Sequence, residues 1–186
     1  MTSWPILVLA AILLFGFAVL YNRLVALRQT RKNAFADIDV QLKMRHDLVP
    51  NLAEIVKKYA AHEKAVFENV TQARSQAMQA RTIDEKSQAE AALGASLMKL
   101  LAVAENYPEL KADRNFAEFQ AQLTSIEQSV AASRRFFNNA TAEFNSATQQ
   151  FPAVIVAKAF GFGEETYFDV GNDKRSELDS PIAVSL

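Results

Sequence analysis

The sequence predicts an all-α protein: an N-terminal transmembrane helix followed by an antiparallel four-helix bundle. Three observations lead there. Trp4 to Tyr21 carries no charged side chain. Between Gly16 and Gly94 the only helix-breaking residue is Pro50, too little turn punctuation for a sheet protein. Through most of the remaining chain apolar residues recur every three or four positions, the spacing of one helix face.

The apolar run comes first. Its length of about 18 residues spans roughly 27 Å as a helix, just enough for a hydrocarbon core of about 30 Å. Trp4 and Tyr21 stand at its ends, where amphipathic rings favour the lipid–water boundary. Pro5 suits a first helical turn, where its missing N–H costs nothing. A cleaved signal peptide is the competing reading, with Gly16-Phe17-Ala18 as a small-x-small site. Against it, no Lys or Arg precedes the run, and the run is long for a signal. Arg23, Arg28, Arg31 and Lys32 follow the span, so the positive-inside rule places the N-terminus outside and the body in the cytoplasm. With Trp4 and Tyr21 they form the expected membrane-interface set, and the lipid bilayer is the expected partner.

The body comes next. Leu24, Leu27, Phe35, Ile38 and Leu42 keep helical spacing, and the stripe resumes at Val49, Leu52, Val56, Tyr59, Val66, Val70 and Ala77. Pro50 lies between. In one reading Asp47 caps a new helix and Pro50 sits in its first turn. In the other, one long helix kinks there. Breaking at Pro50 gives helices near 22–46, 47–80, 83–106 and 114–150, of comparable length and joined by short loops, which favours the up-down bundle. Thr82-Ile83-Asp84-Glu85 is a capping-box pattern for the helix carrying Leu93, Leu97, Leu100 and Ala104, which stops near Tyr107-Pro108. Asp113 or Asn115 caps the last long helix. Its stripe runs Phe116, Phe119, Leu123, Ile126, Val130, Phe137, Ala140, Phe144, Ala147, Phe151, a period suited to a bundle or coiled coil. Phe136 lies off this stripe and either widens the buried face or marks a contact with another chain.

After Pro152 the chain is apolar and aromatic, with Phe160, Phe162, Tyr167 and Phe168 around Gly161 and Gly163. Such a tail is expected to cover one end of the core. The competing reading is a docking or membrane-contacting patch. The chain thus divides into an anchor, 1–21; a helical bundle, 22–151; an aromatic-rich tail packing on the bundle, 152–168; and a polar end, 169–186, expected to be disordered.

The sequence presents no active site. The formal net charge of −1 implies no bulk attraction to nucleic acid, and Arg134-Arg135 is too small a patch to suggest it. The absence of cysteine excludes disulfides, thiolate zinc sites and cysteine nucleophiles. His46 and His62 lack the His-x-x-x-His or Glu-x-x-His spacing of helical metal sites. His46 beside Asp47 reads as a cap or salt link. Arg45 and Glu63 fall on otherwise apolar stripe positions, where they meet each other or face water at the bundle ends. No phosphate loop or nucleophile elbow occurs, so no catalytic residue, metal or cofactor is expected.

Several blocks nevertheless resemble one family. They are YNRLVALRQ, FADIDVQLKMRHDLVPNL, VTQAR, AENYPELKADRNF, SRRFFNNATAEFN and QFPAVIVAKAFGFGEETYF, in order across residues 21 to 168. Together they look like a LemA family protein. The family often has Trp where this chain has Phe35, a tolerable aromatic exchange, and the likeness fades from about Val170. The resemblance implies a bacterial membrane-anchored protein with an antiparallel four-helix soluble part. It supplies no catalytic residues, and the family's suggested roles are membrane organisation, envelope stress and association with membrane proteases. The expected function is therefore a single-pass, non-enzymatic scaffold or interaction protein of the bacterial inner membrane, partnered by itself or by other membrane proteins. The alternatives are a membrane-remodelling protein working through the basic junction or the aromatic tail, and an extracytoplasmic ligand-binding bundle.

Overall fold

The computed structural model describes residues 3–168. The expected disordered end, 169–186, lies outside the described residues. Six helices and no strand occur among the described residues: α1 Ser3–Tyr59, α2 Lys64–Gln79, α3 Ile83–Glu105, α4 Pro108–Lys111, α5 Arg114–Gln149 and α6 Ala153–Phe160. The all-α class and the long N-terminal apolar helix are as the sequence predicts.

The first helical boundary is not where the sequence reading placed it. α1 runs without interruption through Pro50 and ends at Tyr59. A proline inside a helix deprives the carbonyl four residues earlier of its ladder partner. Here that carbonyl belongs to His46, and Arg74 Nε on α2 donates to it at 2.7 Å. A long side chain from a neighbouring helix thus makes the bond that the Pro50 nitrogen cannot, and the helix carries on. The chain turns instead at residues 60–63, where there is neither Gly nor Pro. Ala60 N–H still reaches back to the Val56 carbonyl at 2.9 Å, and Ala60 is buried.

Backbone contacts divide the chain into two compact units. Among the described residues the first comprises those from Ser3 to Asp39 together with Ala132–Tyr167, and the second comprises Val40–Ala131 with Phe168. Parts of α1 and α5 belong to each.

In the second unit, α1 contributes Leu48, Val49, Leu52 and Val56 to one apolar core. α2 adds Val70, Ala73 and Ala77, and α3 adds Leu93, Leu97, Leu100 and Val103. Leu110 of α4 and Phe116 and Leu123 of α5 complete it. The short α4, between the helix that stops near Tyr107 and the cap at Asp113, begins at Pro108, whose missing N–H is harmless at a first turn. Asp113 is the cap of α5: its Oδ1 accepts from the N–H groups of Asn115 at 2.7 Å and Phe116 at 3.1 Å. Its Oδ2 accepts from Tyr59 Oη at 2.7 Å, pinning the end of α1 to the start of α5.

The capping box of α3 forms as predicted. Thr82 Oγ1 accepts from Glu85 N–H at 3.2 Å, and Glu85 Oε2 accepts from the N–H groups of Thr82 at 3.1 Å and Arg81 at 2.9 Å. Thr82→Ala is expected to destabilise the protein by about 1 kcal/mol, read as a lowered urea midpoint of the helical signal.

In the first unit, Leu24, Phe144, Ala147, Val156, Ala157 and Phe162 form an apolar cluster, with Leu20, Tyr21 and Leu27 against it. Gly161 makes this possible. At φ +70° it adopts the left-handed backbone that ends α6, and Phe162 N–H then folds back to the Ala157 carbonyl at 2.9 Å. The turn returns the Phe162 ring to Tyr21, 5.8 Å between centroids, and to Phe144, 6.4 Å. Phe151 departs from its predicted place. Counted on the buried stripe of the last helix, it lies beyond the end of α5 and is 82 % exposed.

Candidate functional site

Three places hold the residues that the sequence singles out: the N-terminal helix, the tail against it, and two sets of buried polar side chains. From Trp4 onward the apolar run of α1 is exposed, with Leu7 at 64 %, Ile12 at 62 % and Phe15 at 73 %. A helix this apolar with an unburied surface is long and apolar enough to cross a membrane.

Beyond the run, Arg23, Arg28 and Lys32 are exposed, as contact with headgroups requires. Arg31 is not. Expected among the headgroup-facing basics, it is 8 % exposed and turned inward. Its position explains the difference. Residues 24, 31, 38, 45 and 52 recur in steps of seven, and Leu24, Ile38 and Leu52 are all buried. Arg31 and Arg45 occupy the two charged positions of that stripe.

Within the first unit, Arg31 ties down the tail. Nη1 pairs with Glu165 at 3.1 Å, Nη2 donates to the Thr166 carbonyl at 2.9 Å, and Nε donates to Thr141 Oγ1 at 3.1 Å. The guanidinium also lies over the Phe137 ring, 4.8 Å from its centroid, a cation–π placement. Asn145 completes the clasp from α5: its amide donates to the Glu165 carbonyl and accepts from the Glu165 N–H, both at 2.9 Å.

The tail residues divide accordingly. Phe162 and Phe168 are buried, at 9 % and 1 %, which removes them as free docking residues. Phe160 at 52 %, Tyr167 at 43 % and Phe136 at 52 % are exposed. Phe160 packs one flank against Phe17 at 5.6 Å and Tyr21 at 4.9 Å.

The second unit encloses the other buried charges. Arg45 is 2 % exposed and Glu90 1 %. Arg45 Nη2 pairs with Glu90 Oε2 and also donates to the Glu90 carbonyl at 3.2 Å, while Nη1 pairs with Glu127 at 2.7 Å. His46 Nε2 lies 2.6 Å from Glu90 Oε1. Arg45 therefore meets Glu90 and Glu127, not Glu63, which stands at the start of α2. His46 is a partner of Glu90 rather than a helix cap. No group of three or more His, Cys, Asp or Glu side chains able to hold a metal ion occurs among the described residues.

Burial alone would push the Glu90 carboxyl up, but the His46 hydrogen bond and the Arg45 charge outweigh it and hold the group below its ordinary value. The sign follows. A depressed acid contributes stability fully above its unfolded pKa of about 4.3, and loses it as pH falls through the folded value. Acid unfolding followed by helical ellipticity should therefore show a limb below about pH 4.3 that shrinks in Glu90→Gln.

An all-α fold with an exposed, membrane-length apolar helix at its start fits the class of membrane-anchored helical proteins. Within that class the comparisons are specific. The LemA family model matches residues 34–182, and the chain belongs to the LemA family. That match runs past Val170, where the residue-level likeness ends. The chain is similar to the magnetosome protein MamQ of Magnetospirillum gryphiswaldense, 22% identical over 188 residues, which covers 87% of this chain and 68% of that protein. It is also similar to Protein LemA of Metamycoplasma hominis, 23% identical over 164 residues, covering 86% of this chain and 73% of that one.

Proposed function

We propose that this protein is a non-enzymatic interaction protein of the bacterial inner membrane, anchored by residues 4–21 with its N-terminus outside and its helical body in the cytoplasm. One observation carries the proposal. α1 is unbroken from the exposed apolar run into the packed residues Leu24 and Arg31, so no loose linker separates anchor from body. A partner held by the first unit is then held close to the bilayer. The exposed Arg23, Arg28 and Lys32 support the orientation through the positive-inside rule. Arg45 and Glu90 pair with each other, and Arg31 pairs with Glu165 and the Thr166 carbonyl, a structural use of buried charge that supports the non-enzymatic reading.

Crosslinking in native membranes, followed by identification of trapped neighbours, tests this reading. The expected result is a reproducible set of membrane proteins, or further copies of this chain, linked to the body. Links to periplasmic proteins alone would reverse the orientation. A body that traps nothing above an unrelated anchored helical protein would contradict the interaction role.

A further inference from the structure

We propose that α6 is a second membrane element, a short and mostly apolar helix lying in the lipid–water boundary beside the anchor, with Ile155 and the preceding Phe151 among the acyl chains. The inference rests on the reading that residues 4–21 span the bilayer.

The depth of α6 is set by what its two ends touch. At its C-terminal end the Phe160 ring lies 5.6 Å from Phe17 and 4.9 Å from Tyr21, the last turn of the apolar run. Just before its N-terminal end, Gln150 lines a cleft of about 380 Å³ with Arg23, the first charge after the run. Both ends therefore lie beside the part of α1 between Phe17 and Arg23, where the apolar run gives way to charge.

The composition of α6 suits that position. AVIVAKAF contains a single charge, and its inner face is already used: Val156 and Ala157 are buried at 2 % each in the cluster with Leu24 and Phe144. The outer face is open: Ile155 is 58 % exposed there and Phe151, just before the helix, 82 %, while Phe160, on the packed side against Phe17 and Tyr21, is still 52 % exposed. A helix that is apolar on both its packed and its open face is a poor match to water and a good match to the acyl boundary. Lys158 stands one turn from Ile155 on that open face and is exposed, so its stem can lie along lipid while its ammonium reaches a phosphate. A second copy of the chain could cover the same apolar residues. The level of α6 beside the span favours lipid, because that level is continuous with the surface the anchor already gives to the bilayer.

The sequence offers a clean probe, since Trp4 is its only tryptophan. Full-length protein is reconstituted in nanodiscs whose phosphatidylcholine and phosphatidylglycerol carry bromine on the upper acyl chain, and emission is compared with unbrominated discs. Wild-type protein reports Trp4. The double substitution Trp4→Phe with Ile155→Trp reports α6, and Trp4→Phe with Phe136→Trp reports an exposed site on α5 farther along the body. The expected result is quenching of the residue-155 reporter by a fraction comparable to Trp4, with none at residue 136. Trp4 quenched while residue 155 stays bright would overturn the α6 proposal and leave the anchor standing. Trp4 unquenched would overturn the anchor and the proposal together. A bright residue-155 reporter that becomes exposed to aqueous iodide only on dilution to monomers would assign the face to a second copy instead.

Discussion

Glu90→Ala is expected to destabilise the second unit by about 3–5 kcal/mol, a large fraction of what holds a domain folded. Arg45 is 2 % exposed and would keep Glu127 and the main-chain carbonyl of residue 90, while His46 would lose the carboxylate 2.6 Å away. Removing Glu90 leaves Arg45 shielded from solvent with Glu127, itself partly exposed, as its one remaining carboxylate, and that under-compensated charge dominates the loss. The worth of the pair itself is much smaller. Arg45→Met combined with Glu90→Leu is therefore expected to recover most of the stability lost by Glu90→Ala, because a packed apolar pair carries no desolvation cost. Urea unfolding of the full-length protein in detergent, followed by helical ellipticity, gives all the required midpoints. A Glu90→Ala protein as stable as wild type would mean that water reaches Arg45 and that the cluster is not closed.

Arg31→Ala is expected to act locally in the first unit and to cost about 2–3 kcal/mol there. It removes a pair with a partly exposed glutamate, a bond to the Thr166 carbonyl, a bond to Thr141 and the stacking over Phe137. The Glu165 carboxylate can turn toward water, which keeps the loss below that of Glu90. The freed part is the segment after Gly161. The Glu165 amide, bonded to Asn145 Oδ1 at 2.9 Å, is the reporter, and its hydrogen exchange should quicken in Arg31→Ala while amides of α3 stay protected. Arg31→Lys should rescue little, since an ammonium cannot engage Glu165, Thr141 and the Thr166 carbonyl in the same fork. Uniformly faster exchange across both units would show instead that Arg31 supports the whole fold.

These two arginines mark how far the sequence could be read. Period and punctuation revealed the helices, the capping box at Thr82 and the stripe of α5, because each is written in local spacing. Arg45 stood out as a charge on an apolar stripe, yet its partners lie 45 and 82 residues away and no local pattern names them. Arg31 carried the same signal, midway between Leu24 and Ile38, but three neighbouring basic residues disguised it as part of a juxtamembrane cluster. Pro50 misled for a related reason: whether a proline ends a helix depends on who satisfies the orphaned carbonyl, and Arg74 does so from another helix. The end of α1 at Tyr59 has no Gly or Pro to announce it. Phe151 keeps the period of α5 but lies two residues past its end.

The claim on which the rest depends is that α1 begins inside a bilayer. The chain lacks cysteine, so single cysteines placed along α1 can be probed with a membrane-impermeant maleimide in intact spheroplasts and in opened vesicles. Leu7, Ile12, Phe15 and Val25 are all exposed on the protein itself, so packing cannot shield any of them. Cysteines at 7, 12 and 15 are expected to stay unlabelled wherever the bilayer is intact, and one at 25 to be labelled only once the cytoplasmic face is opened. Labelling at 7, 12 and 15 as fast as at 25 would contradict the claim.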